Sequence, residues 1–182
     1  EDSEKNPAPT VINYHDVGVD RGPAAATVNA DNLASINAAV ARLERGDVDA
    51  RAKLKVIINA YNAILAAADG KSGDTSGDAL QPEQFLAIGV PLGSVPIGMG
   101  KLANPVGGGK SLEQVDADKL ALFCSAVGAQ GHDGVATPDK LAALAATASD
   151  LIRTARESTS DPVVGDSTTS LSVKSLQALG LN

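Results

Sequence analysis

The thirteen residues Val28–Val40 return as Val115–Val127, with seven identities at an offset of 87. The register continues without a gap: Val48 matches Val135 and Leu54 matches Leu141, again 87 apart. Upstream of each copy, Asp16-Val17-Gly18-Val19 is matched by Ala87-Ile88-Gly89-Val90, 71 positions later. A third version, Ala178-Leu179-Gly180-Leu181, lies near Asn182. Such self-similarity restricts the chain to an assembly of like units, each burying its apolar face against a neighbour.

The apolar spacing within each copy is helical. Thr10 is placed to cap a short helix over residues 11 to 17, and Gly18 ends it as a residue able to take positive φ. Leu33, Ile36, Val40 and Leu43 fall three and four apart after Asn29 and Asp31, either of which can cap that helix. Gly46-Asp47-Val48-Asp49 reads as a turn, its carboxylates set for the N-terminus of the next helix. There Leu54, Ile57, Ile58, Tyr61, Ile64, Leu65 and Ala68 hold one face for four turns. The second copy repeats the plan. Pro82 opens a short helix that Gly89 closes, and Asp116 caps a helix with Leu120, Phe123, Cys124 and Val127 inward. Thr137-Pro138 then starts a long stripe through Leu141, Leu144, Ala148, Leu151, Ile152 and Ala155. The one asymmetry is a loop. Gly18 to Val28 is 10 positions and Gly89 to Val115 is 26, so the second copy carries 16 extra residues with Pro91, Pro96 and Pro105.

These patterns predict an all-α chain of two tandem three-helix units, each a short helix plus an antiparallel helix pair, with the first helix of a third. The expected boundaries are a disordered lead or linker at 1–9, unit one at 10–78, unit two at 79–170 with its insertion at 91–110, and the start of unit three or a capping helix at 171–182. The start without Met and the third copy breaking off at Asn182 suggest a processed chain or a piece of a longer one.

Composition narrows the function. With 15 basic against 22 acidic residues the net charge is −7, which opposes binding to nucleic acid or anionic lipid. There is no Trp, and only two Tyr and two Phe, so the aromatic anchors of most binding hot spots are scarce. No apolar run is long enough to span a membrane. The single Cys124 rules out an intramolecular disulfide framework, and on an inward stripe it reads as buried and inert rather than nucleophilic.

No catalytic signature emerges, and we expect neither enzyme activity nor a cofactor. Gly107-Gly108-Gly109-Lys110-Ser111 lacks the upstream glycine and preceding strand of a phosphate loop, and Ser111 with Gln114 reads as a capping box. His15-Asp16 and His132-Asp133 are adjacent pairs that point apart on a helix. The acidic turns Asp47-Val48-Asp49 and Asp69 to Asp78 lack the spacing of a calcium loop, so no metal ligands are assigned. The 91–110 insertion is the feature that repetition does not demand. Leu92, Val95, Ile97, Met99, Lys101 and Leu102 are its candidate partner-contact residues.

The run Asp31–Val40, then Asp47-Val48-Asp49, then Asn59–Gly70, resembles the tandem α-helical repeats of very large bacterial surface and biofilm-associated adhesin-like proteins. In that family the short helix ends in a motif similar to Ala87-Ile88-Gly89-Val90. The resemblance implies an extracellular or cell-surface setting and a non-enzymatic spacer or adhesive scaffold, with neighbouring repeats and a host or matrix protein or glycan as partners. The alternative is a protein- or glycan-binding module using the 91–110 loop; a small enzyme or metal-binding protein stands behind both.

Overall fold

A computed structural model describes residues 7–71, 80–92 and 117–160, together with Gln177. The fold is all-α, and the described residues contain no strand. In the first copy α1 (Val11–Asp16), α2 (Leu33–Arg42), α3 (Arg45–Val48) and α4 (Arg51–Ala67) follow one another; in the second come α5 (Pro82–Ala87), α6 (Ala117–Ala129), a 3-10 turn (His132–Val135) and α7 (Pro138–Ser160). The 87-residue register reappears in the boundaries. Adding 87 to the end of α2 at 42, to α3 at 45–48 and to the start of α4 at 51 gives 129, 132–135 and 138, the matching bounds in the second copy.

The short helices are built alike down to their hydrogen bonds. Thr10 and Asn13 form a reciprocal capping box on α1, and Gln81 and Gln84, 71 positions on, form one on α5. Gly18 and Gly89 both sit at φ +74° as the residue beyond the cap. The following amides bond back alike, Val19 to the Tyr14 carbonyl and Val90 to that of Phe85.

One polar pair is exchanged as a pair. The Tyr14 hydroxyl donates to Asn37 Oδ1 at 2.8 Å, and Asn37 Nδ2 donates to the Pro9 carbonyl at 2.8 Å. Phe85, Cys124 and Leu80 stand at the equivalent positions. There Phe85 lacks the hydroxyl and tilts against Phe123 at 4.6 Å, while the Cys124 thiol keeps the bond to the carbonyl, donating to Leu80 at 3.9 Å. Tyr14→Phe alone leaves Asn37 Oδ1 without its donor and is expected to cost about 1–2 kcal/mol. The double change Tyr14→Phe/Asn37→Cys should cost less than the two single changes summed, and a double-mutant cycle by urea denaturation checks this.

The two copies share one core. α5 packs on α4, and α7 reaches α2 of the first copy. Gly70, just past α4, donates its amide to the carbonyls of Gly128 and Gln130. Arg42 donates Nε to the Gly89 carbonyl at 2.9 Å and pairs through Nη1 with Asp139. The deepest link is Tyr61. Its hydroxyl donates to the Val135 carbonyl at 2.8 Å and is hydrogen-bonded by Ser35, so α4, α2 and the second copy's 3-10 turn meet there. Burial pushes this phenol well above its ordinary pKa, which keeps the donated proton in place.

Several local expectations are corrected. The turn at 46–49 is a single helical turn, α3, in which Asp47 N bonds the Glu44 carbonyl at 2.8 Å; this satisfies the backbone while carrying Val48 toward the core. Its carboxylates do not cap α4, which has no side-chain cap. Asp49 pairs with Lys53 instead. Helix α2 has Asn32 at its N-cap position. Asn29 Oδ1 binds the amides of Asp31 and Asn32 and so closes the approach to the helix rather than capping it. Asn32 Nδ2 reaches Asn62 Oδ1 near the far end of α4, which sets α2 and α4 antiparallel. In the second copy the Asp116 cap and the phosphate-loop-like run 107–111 lie outside the described residues, whereas Thr137 caps α7 through the Lys140 amide with Pro138 at its first position.

α1 is the more open version of α5. Val17 is 50% exposed, while its equivalent Ile88 is buried. His15 and Asp16 occupy the positions of Leu86 and Ala87. The difference follows from the neighbour: α5 lies against α4, whereas α1 leaves Ile12 69% exposed beside Val17.

Candidate functional site

The surface that needs explanation is the first copy's loop, residues 19–27, and the helix that holds it. The Ala26 amide bonds the Val19 carbonyl at 2.9 Å, Gly22 takes φ +74°, and Ala24 takes φ +52°, which costs a non-glycine residue about 1 kcal/mol. A row of donors on one side of α4 fixes this shape. Lys55 Nζ donates to the carbonyls of Arg21 and Pro23, Asn59 Nδ2 to that of Ala24 at 3.3 Å, and Asn62 Nδ2 to that of Thr27 at 2.9 Å. Positions 55, 59 and 62 are four and three apart and therefore stack along one helical face. The equivalents in α7 are Ala142, Ala146 and Ser149, which carry no such row of amide and ammonium donors.

Clamping the loop leaves a depression of about 290 Å³ lined by Arg21, Gly22, Pro23, Arg51, Ala52 and Lys55. Three of these six are cationic and none is acidic. Lys55 is only 7% exposed, and its hydrogen-bond partners are neutral carbonyls. Arg51 has no ion pair among the described residues. Its guanidinium lies beside the end of α1, where a Cβ built on Gly18 would stand 3.4 Å from Nη1. Asp20 lies 3.9 Å from Arg21 Nε and is shared with His15 at 3.3 Å, but it is not on the lining. The first turn of α4 has no acidic residue either, although a helix start favours negative charge.

Leu92 is 1% exposed and packs in the core, with Lys119 Nζ donating to its carbonyl, so it faces inward rather than toward a partner. Val95, Ile97, Met99, Lys101 and Leu102 lie outside the described residues. Cys124 is buried on the inward stripe. His15 lies on α1 and His132 on the 3-10 turn, and among the described residues no three of His, Cys, Asp and Glu come together. Nor, among those residues, is any helix long and apolar enough to cross a membrane. The Arg21, Arg51 and Lys55 grouping was missed. The signal available in the sequence is the row Lys55, Asn59 and Asn62, polar residues at helical spacing beside the apolar stripe of α4.

No protein-family model, no curated protein and no solved structure matches the chain.

Proposed function

We propose that this chain is a non-enzymatic helical-repeat segment of a bacterial surface protein, serving as spacer or adhesive scaffold in cell adhesion or biofilm formation. The observation that carries the reading is the way the copies are joined. A short helix with the same capping box and the same terminal glycine opens each copy, and in the second it docks on the long helix of the first. A unit that docks in this manner can be added to its predecessor without a new kind of contact, which is how helical arrays gain length while staying rigid between neighbours. The side chains spanning the joint, Arg42, Tyr61 and Asp139, are held by hydrogen bonds and an ion pair to fixed partners. That suits a load-bearing spacer. The extracellular setting and the adhesive role rest on the resemblance of residues 31–70 to adhesin-like repeats.

The test is a binding screen of the chain against bacterial cells, host extracellular proteins and a glycan array, run beside a form with residues 93–108 shortened. A spacer gives no binding in either form while both stay helical by circular dichroism. Binding that disappears with the loop would replace this reading with that of a recognition module.

A further inference from the structure

We propose that Arg21, Arg51 and Lys55 form a binding site for a single oxyanion group, a carboxylate, sulfate or phosphate, carried by a small ligand. The repeat supplies an internal control. At the equivalent positions the second copy has Leu92, Pro138 and Ala142, so the fold is built once with both arginines and once with neither. Part of the task of Lys55 is structural, since in the second copy Lys119 serves the Leu92 carbonyl, the equivalent of the Arg21 carbonyl. The two arginines have no such duty. Three cations thus line one depression, without an acidic residue on its lining, in a chain whose net charge is −7.

The chemistry selects the ligand. A guanidinium presents parallel N–H donors that match two oxygens of a carboxylate, sulfate or phosphate, and two of them flanking an ammonium can surround one such group. The depression of about 290 Å³ takes the charged end of a molecule the size of a monosaccharide. Lys55 is held by its carbonyls, and the loop beneath is fixed by Asn59 and Asn62, so the floor is formed before the ligand arrives. Because both arginines are exposed to solvent, affinity is weak, on the order of 1–10 mM.

Titration of the 15N-labelled chain with sodium sulfate, sodium glucuronate and neutral methyl glucoside, at ionic strength matched with sodium chloride, tests this by NMR. Saturable shifts are expected at the Arg21 and Arg51 Nε–H and at amides 51–55 with sulfate and glucuronate, and none with the neutral sugar. Equal affinity for both anions assigns the oxyanion alone; tighter glucuronate assigns an acidic sugar. Arg51→Gln should weaken binding about tenfold, and Arg21→Gln/Arg51→Gln should abolish it, with thermal midpoints unchanged because both side chains are exposed. Shifts that fail to saturate, or that persist unchanged in the double variant, overturn the site.

Discussion

Replacing Tyr61 by alanine is expected to destabilise the protein by about 4–5 kcal/mol. Three losses combine. The ring is fully buried between the copies, and removing it opens a cavity in a core whose other aromatics among the described residues are Tyr14, Phe85 and Phe123. The Val135 carbonyl loses its donor at 2.8 Å, and Ser35 loses its acceptor. A typical domain is stable by only about 5–15 kcal/mol, so the variant should unfold at a much lower urea concentration. Tyr61→Phe separates the terms. It keeps the ring and removes the hydroxyl, and should cost only about 1–2 kcal/mol. If Tyr61→Ala cost no more than Tyr61→Phe, the ring would not be packed between the copies as described.

The second large effect is an asymmetry. Leu54 and Leu141 are the same position of the repeat, 87 residues apart, and sequence alone predicts that truncating either to alanine costs alike. The structure separates them. Leu141 is fully buried, because the start of α7 lies against α2 of the first copy, where Arg42 meets Asp139. Leu54 is partly buried, because the start of α4 lies at the open end beside the basic depression. Leu141→Ala should therefore cost about 3–5 kcal/mol and Leu54→Ala about 1–2 kcal/mol. Urea denaturation of both variants reads the difference. Equal costs would mean that the second copy stands apart from the first.

The internal geometry of each copy was legible in the sequence and the relation between copies was not. The helix start at 138, the capping residues Thr10 and Thr137, and the terminal glycines 18 and 89 follow from local rules acting within one turn of chain. Periodicity shows which face of a helix is apolar but not what covers it. For that reason nothing in the sequence marks Arg42 as the residue that spans the joint to Gly89 and Asp139. Tyr61 read as one member of a stripe, although it bridges both copies. The turn at 46–49 hid a helical turn because glycine and aspartate favour turns over helices, and the i→i+3 bond is common to both. The basic depression failed to appear for a related reason. Arg21 is 30 positions from Arg51 in the chain, and only the row of donors on α4 draws the loop back onto the helix.

Native-state amide hydrogen exchange in increasing urea tests most directly the claim that the two copies form one body with one core. The buried amides of α4, α6 and α7 should exchange through a single opening with one free energy and one urea dependence, and Tyr61→Ala should lower that free energy equally in all three helices. Separate openings for residues 11–68 and 117–154, with only the first responding to Tyr61→Ala, would contradict it.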